Sequence, residues 1–330
     1  MILSNPYIQL IIGMVVLILS GDYLVKGGVE LARKFKISTL VVGSTVVAMG
    51  TSAPELIVSL KSALMGHTEM AIGNVVGSNI SNIALVLGAT ALIINIPVKS
   101  DTLKVGWPTL FLATVLFLLL GRDQSISSFN GMILTAGMLL FIFLSIRSSR
   151  KSKEANEFVE AKYPLWKSLL IIILSCLGLA FGSNNLIEGA STIAQSMGIS
   201  ERVISVTVIA IGTSLPELTA SIMAATKGET DISIGNIIGS NIFNILGVIG
   251  ITSTIHPIVV DLKSFHYDFI CMLGFTLILV IFIYPVSKNR DYIRQKAYAL
   301  GVTNLNGGIL RRWEGMILLT AYIIYVFSIL

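Results

Sequence analysis

The chain has 330 residues, of which 54% are hydrophobic and only 12% charged, with a mean hydropathy of +0.85. A water-soluble domain needs more charge to cover its surface, so this balance excludes an ordinary soluble globule and points to a chain whose main solvent is lipid. The formal charge of +5 comes from short basic segments between apolar runs, which argues against a nucleic-acid partner and for loops that face anionic lipid.

A spanning helix takes about 20 mainly apolar residues. On that basis the sequence predicts about ten spans, at 6–33, 38–65, 70–95, 105–120, 127–147, 165–196, 200–226, 231–256, 267–286 and 311–330. The first seven residues carry no basic run and no small-residue cleavage site, so the first apolar run is expected to stay as a transmembrane helix. The linker 148–164 is too short to fold around a core of its own. A second linker, 287–310, sets Lys288, Arg290, Arg294 and Lys296 among Tyr292, Ile293, Tyr298 and Leu300. It is expected to lie on the membrane surface as an amphipathic helix, ended by Gly301, Gly307 and Gly308. Nearly all loop lysines and arginines fall on one side of this layout, and only Arg122, Arg202 and Lys263 on the other. The positive-inside rule then puts the long linkers in the cytoplasm and both termini outside, in a multi-pass protein of the cell membrane.

The chain repeats itself at an offset of 162 residues. Gly50-Thr-Ser-Ala-Pro-Glu-Leu56 returns as Gly212-Thr-Ser-Leu-Pro-Glu-Leu218, and Gly73-Asn-Val-Val-Gly-Ser-Asn79 returns as Gly235-Asn-Ile-Ile-Gly-Ser-Asn241. Asn82 maps onto Asn244 and Gly88 onto Gly250. Five spans fit in each copy, and five is odd, so the second copy enters the membrane from the opposite side. The expected fold is an all-α membrane protein of two inverted five-helix repeats, 1–147 and 165–330, joined by 148–164. In such folds the substrate site lies near the bilayer midplane between the copies.

Each copy puts a glutamate, Glu55 or Glu217, well inside an apolar span. An acidic side chain at mid-membrane costs about 2.5–3.5 kcal/mol on insertion scales, and such residues mark functional sites by default. Pro54 and Pro216 lack an N–H and so deprive the carbonyls of Gly50 and Gly212 of their helical partners. Freed carbonyls lining a cavity are oxygen ligands. Thr51, Ser52, Thr213 and Ser214 add hydroxyls. In the following span, Ser78 and Asn82 share a helical face, as do Ser240 and Asn244, with Asn74 and Asn236 one turn earlier. An oxygen set without histidine or thiolate suits hard cations such as calcium and alkali ions. Gly73, Gly77, Gly235 and Gly239 are expected to let helices approach closely. Asp22 and Lys26, four apart, are read as a local ion pair. Cys176 and Cys271 lie in apolar runs as packing residues, and His67, His256 and His266 are too scattered for a metal site. Neither serine sits in a Gly-x-Ser-x-Gly elbow, which argues against a hydrolase.

The doubled GTSAPE and GTSLPE segments, each followed by GNxxGSNIxN, resemble the two repeats of the sodium/calcium exchanger family, over nearly the whole chain. The resemblance implies that Glu55 and Glu217 are the central acidic ligands, with Thr51, Ser52, Thr213, Ser214, Ser78, Asn82, Ser240 and Asn244 beside them and Ala48 and Ala210 contributing backbone carbonyls. It implies Ca²⁺ and Na⁺ as cargo carried in opposite directions by alternating access. It implies no enzyme activity, no resident cofactor and no obligate protein partner beyond the bilayer. Some relatives carry aspartate where this chain has Asn244, and an acid there goes with potassium use, so potassium dependence is not expected. A proton/calcium antiporter is the nearest alternative, but such relatives usually carry another acid where this chain has Gly-Ser-Asn.

Overall fold

The computed structural model describes residues 5–99, 101–151, 160–198, 210–284 and 308–329. The 287–310 linker therefore falls almost wholly outside the described residues, as does the beginning of the expected 200–226 span. Among the described residues, eight helices are long and apolar enough to cross a membrane, and a bent pair makes a ninth span. In chain order these are α1 (Pro6–Phe35), the bent pair α2 (Thr39–Thr51) and α3 (Ala53–Leu64), α4 (Thr68–Ile93), α5 (Thr102–Asp123), α6 (Ser128–Lys151) and α7 (Leu165–Ser196). The second half continues with the short α8 (Ala210–Thr213), α9 (Leu215–Thr226), α10 (Thr230–Ile255), α11 (Leu262–Ile283) and α12 (Arg312–Ile329). The layout agrees with the expected spans to within a few residues. The fourth span runs longer than 105–120, because its first turn, Thr102–Gly106, is a widened π-type turn carrying polar Thr102 and Lys104.

Helix starts and stops follow local chemistry. Asn5 caps α1, its Oδ1 accepting from the N–H groups of Tyr7 at 3.0 Å and Ile8 at 3.4 Å, with Pro6 at the first helical position. Lys36 ends the helix in the left-handed region at φ 52°.

Two small antiparallel ladders reveal the inversion. Strand β1 (Ile96–Pro97), just after α4, pairs with β4 (Ile309–Leu310), just before α12. Strand β3 (Ile258–Val259), just after α10, pairs with β2 (Ser125–Ile126), just before α6. Lys99 lies just beyond β1 and pairs at 2.8 Å with Asp231, in the first turn of α10. The N-terminus of α10 therefore shares an end with β1, while its C-terminus leads into β3. A 26-residue helix is about 39 Å long, so the two ladders cap opposite faces of the molecule, as two inverted repeats require.

Helices α4 and α10 form the centre. Their most apolar windows are 72% and 94% buried, against 22–33% for the other straight spans. Those outer helices turn large apolar side chains such as Leu112, Phe129, Leu139 and Ile324 outward, as a lipid-facing surface does. The outer packing is itself symmetric: α12 lies on the second half of α4 and α6 on the second half of α10. Gly88 faces Gly315, and its counterpart Gly250 faces Thr135.

Close backbone approach holds α2 to α10. A Cβ on Gly235 would stand 2.7 Å from the carbonyl oxygen of Leu40 and 3.0 Å from the amide of Ser44. Gly239 lies against the backbone of Ser44. In the first repeat, Gly73 meets only the ring of Phe265, at 3.6 Å, and Gly77 meets nothing within 4 Å among the described residues. The segment equivalent to their expected partner, 199–209, lies outside those residues. At the end that carries β1, buried Glu30 bonds Arg33 at 2.7 Å and accepts from the backbone N–H groups of Lys162 at 2.5 Å and Tyr163 at 3.2 Å, which ties the end of the 148–164 linker to α1. Asp22 pairs with Lys26 at 2.6 Å as the spacing suggested, and also with Lys227, which joins α1 to the end of α9.

Candidate ion-binding site

The bend between α2 and α3 is 46°. Ser52 sits at it with φ −91° and ψ 10°, and Ser214 takes the same conformation at the equivalent point, φ −90° and ψ 3°. Each proline follows in the first turn of the new helix, where its missing N–H costs nothing. Glu55 and Glu217 are each the third residue of that helix, α3 or α9. The repeated motif thus does more than break a helix: it starts a new one partway along the chain's course through the protein, with a carboxylate at the positive end of its dipole.

Both glutamates are buried, Glu55 1% and Glu217 0% exposed. Neither has a basic side chain in ion-pair contact among the described residues. Each has one carboxylate oxygen held by a serine from another element. Ser52 Oγ donates to Glu217 Oε1 at 2.8 Å, across the repeats, and Ser78 Oγ donates to Glu55 Oε1 at 3.3 Å. The second oxygen of each, Oε2, is buried without a hydrogen-bond partner among the described residues. The same holds for Asn82 Oδ1, Asn244 Oδ1 and Ser214 Oγ. Buried polar atoms are normally paired, so five unpaired oxygens in one set of motif residues are unusual. Around Asn82 and its equivalent Asn244, α4 and α10 also widen into π-type turns, Asn82–Leu87 and Phe243–Ile249. Such turns often mark functional positions.

The surrounding hydroxyls and amides tie the elements together. Thr51 Oγ1 donates to Asn236 Oδ1 at 3.1 Å and lies 3.5 Å from Ser240 Oγ. Asn74 donates to the Glu55 carbonyl at 3.1 Å and to Ser59 Oγ at 2.9 Å. Asn236 repeats this with the Glu217 carbonyl at 3.4 Å and Ser221 Oγ at 3.0 Å. The amide nitrogens of Asn74 and Asn236 therefore hold the glutamate-bearing helices. Ser59 and Ser221 escaped the sequence reading, although they too are 162 apart; that shared offset was the available signal.

Two carbonyls singled out in the sequence are engaged. The Gly212 carbonyl, freed by Pro216, accepts from Ser183 Oγ of α7 at 2.7 Å. The Ala48 carbonyl accepts from the Ser52 amide at 3.0 Å and lies 3.3 Å from Thr51 Oγ1, whose one hydrogen goes to Asn236 or to this carbonyl. Ala210 opens α8, and Thr213 closes it half-buried.

Ser52 and Ser214 differ although the motif repeats. Ser52→Ala strips a hydrogen bond from a buried carboxylate, worth about 1.5–3 kcal/mol, whereas Ser214→Ala removes a hydroxyl with no partner among the described residues. Thermal melting of the purified protein without ions is expected to show a clear drop for the first and little change for the second; equal drops would contradict the asymmetry.

Fold and site together define an integral membrane protein of two inverted repeats that enclose a buried, acidic, oxygen-rich centre. The family model of the sodium/calcium exchanger protein matches residues 5–147 and 167–330, and the chain belongs to that family. It is 39% identical to the putative antiporter CaxA of Alkalimonas amylolytica, over 96% of each chain. It is 28% identical to the sodium/calcium exchanger MaX1 of Methanosarcina acetivorans, over 97% of each. It matches the structure of the sodium-calcium exchanger NCX_Mj soaked with 2.5 mM Na⁺ and 0.1 mM Ca²⁺, with a TM-score of 0.78 and 28% identity over 98% of each chain. The activity this membership carries is cation/Ca²⁺ antiport across a membrane.

Proposed function

We propose that the chain exchanges Na⁺ for Ca²⁺ by alternating access, at a midplane site between the repeats 1–147 and 165–330. The observation that carries this reading is the pair of buried glutamates, each with an unpaired carboxylate oxygen and no basic partner among the described residues. Two buried carboxylates without a counter-charge are costly. A cation removes that cost, and two carboxylates nearly balance one Ca²⁺ or hold more than one Na⁺. The two loads then compete for one negative site, and an empty site is too costly to reorient, which couples their fluxes.

In this reading Glu55 and Glu217 are the charged ligands. Ser52, Ser78, Ser214, Ser240, Thr51, Thr213, Asn82 and Asn244 supply neutral oxygens, and the carbonyls of Ala48 and Ala210 join when the helix break rearranges. Hard oxygen donors without nitrogen or sulfur favour Ca²⁺ and Na⁺ over zinc or copper. With a neutral Asn244, potassium is not required. The basic end that carries β1 and β4 faces the cytoplasm, and both termini lie outside.

The test is flux of radioactive calcium in vesicles containing the purified protein. Ca²⁺ efflux is expected to collapse when external Na⁺ is replaced by choline, and a pH gradient alone is expected not to restore it. Restoration by the pH gradient would make the coupling ion a proton and overturn the sodium assignment.

A further inference from the structure

Asn79 and Asn241 lie at the midpoints of α4 and α10, 1% and 0% exposed. Each donates its amide to the main chain of the other: Asn79 Nδ2 to the Asn241 carbonyl at 3.4 Å, Asn241 Nδ2 to the Asn79 carbonyl at 3.2 Å. A carbonyl accepts only from the nitrogen end of an amide, so these contacts fix which way each asparagine is turned. The Oδ1 of each faces away from the contact.

From there the halves part. Asn79 Oδ1 accepts from Asn244 Nδ2 at 3.1 Å, and the same nitrogen donates to Ser78 Oγ at 3.2 Å. Both hydrogens of the Asn244 amide are thus engaged, and its Oδ1 is left buried and without a partner among the described residues. The equivalent contact, Asn82 to Asn241, is not made: Asn241 Oδ1 and both polar atoms of Asn82 are without partners among the described residues. Ser52 and Ser214 break the symmetry in the same sense, since Ser52 holds Glu217 while Ser214 Oγ has no partner among the described residues. The same residues stand at equivalent positions in both repeats, and one set of cross-repeat contacts is closed while its mirror image is open.

We propose that Asn79 and Asn241 are positioning residues of the exchange cycle, each turning the site asparagine of the opposite repeat so that its oxygen faces the cation. Asn79 acts on Asn244 in the state described, and Asn241 acts on Asn82 in the opposite-facing state. This rests on the alternating-access reading above. A cation is bound by the oxygen end of an amide and repelled by the nitrogen end. An amide held the right way round spares the ion that ordering step. In an inverted-repeat carrier the second state interchanges the roles of the copies, so the open contact is the one that closes there.

The test uses the full chain in right-side-out and inside-out membrane vesicles, with KM for Ca²⁺ measured at each face. Asn79→Leu, close in size but without polar atoms, is expected to raise KM about five- to tenfold at one face, with kcat and the other face near wild type. Asn241→Leu is expected to do the same at the opposite face. In an Asn244→Asp background the carboxylate offers an oxygen either way round, so Asn79→Leu is expected to add no further rise. Equal changes at both faces, no rise in KM, or an undiminished effect in the Asn244→Asp background would overturn the proposal. Should either leucine variant fail to assemble, Asn79→Ser and Asn241→Ser, too short to bridge, carry the same comparisons. Loss of sodium dependence in the wild type would sink the exchange reading instead, and the face dependence is then read on proton-driven flux.

Discussion

Replacing Glu217 by glutamine is expected to abolish Na⁺-dependent Ca²⁺ flux while leaving the protein assembled, and Glu55→Gln is expected to do the same. Gln keeps the size of the side chain and an oxygen for Ser52 or Ser78 to bond, so the fold loses little. What disappears is one of the two charges facing the cation. A unit-charge pair 4 Å apart at an effective dielectric of 20 is worth about 4 kcal/mol, which is roughly a thousandfold in affinity. The neutral variants also escape the cost of a buried unpaired carboxylate, so without ions they should melt no lower than wild type. Ligand-linked stabilisation separates the two effects: Ca²⁺ raises the melting temperature of wild type by mass action, and the variants should respond weakly. Wild-type flux in both variants would sink the site assignment.

Gly235→Val is expected to be strongly damaging although it touches no ion ligand. The Cβ it adds meets the Leu40 carbonyl, the Ser44 amide and the Gly43 backbone, at 2.7, 3.0 and 3.3 Å. None of these is a side-chain tip that can turn aside. On the facing helix, a Cβ on Gly43 would stand 2.7 Å from the Ile232 carbonyl. Overpacking typically costs about 1–3 kcal/mol, occasionally more, and here separating the backbones would also move α10 away from the Thr51–Asn236 contact. Size-exclusion yield and melting temperature should both fall for Gly235→Val and less for Gly235→Ala. Gly274→Ala is the control: nothing lies within 4 Å of its Cβ among the described residues, and removing a mid-helix glycine gains about 0.5–1 kcal/mol. A comparable loss at Gly274 would show that the damage at Gly235 does not come from backbone contact.

Much of this was legible in the residues. Apolar runs of spanning length marked the helices, because lipid forces every backbone group to bond within its own segment. The gapless offset relating Glu55 to Glu217 named the paired positions, and the odd number of spans in each copy set the inversion. The function of Ser183 was not legible. It lies on α7, outside the repeated motifs, and caps a carbonyl 29 residues away in sequence. Nor were the reciprocal contact of Asn79 and Asn241 or the supporting serines Ser59 and Ser221, since helical periodicity says which face a residue takes but not what lies opposite.

The sequence by itself determined the spans, their inversion and the chemical types gathered at the centre, because hydropathy and spacing are properties of each segment alone. Only the tertiary structure decided which of two equivalent contacts is closed. Ser52 and Ser214, or Asn82 and Asn244, are interchangeable as written, and a chain of two like repeats has two near-equivalent packings. The choice between them lies in how α4 meets α10, where Asn79 holds Asn244 and, among the described residues, Asn241 makes no hydrogen bond to Asn82.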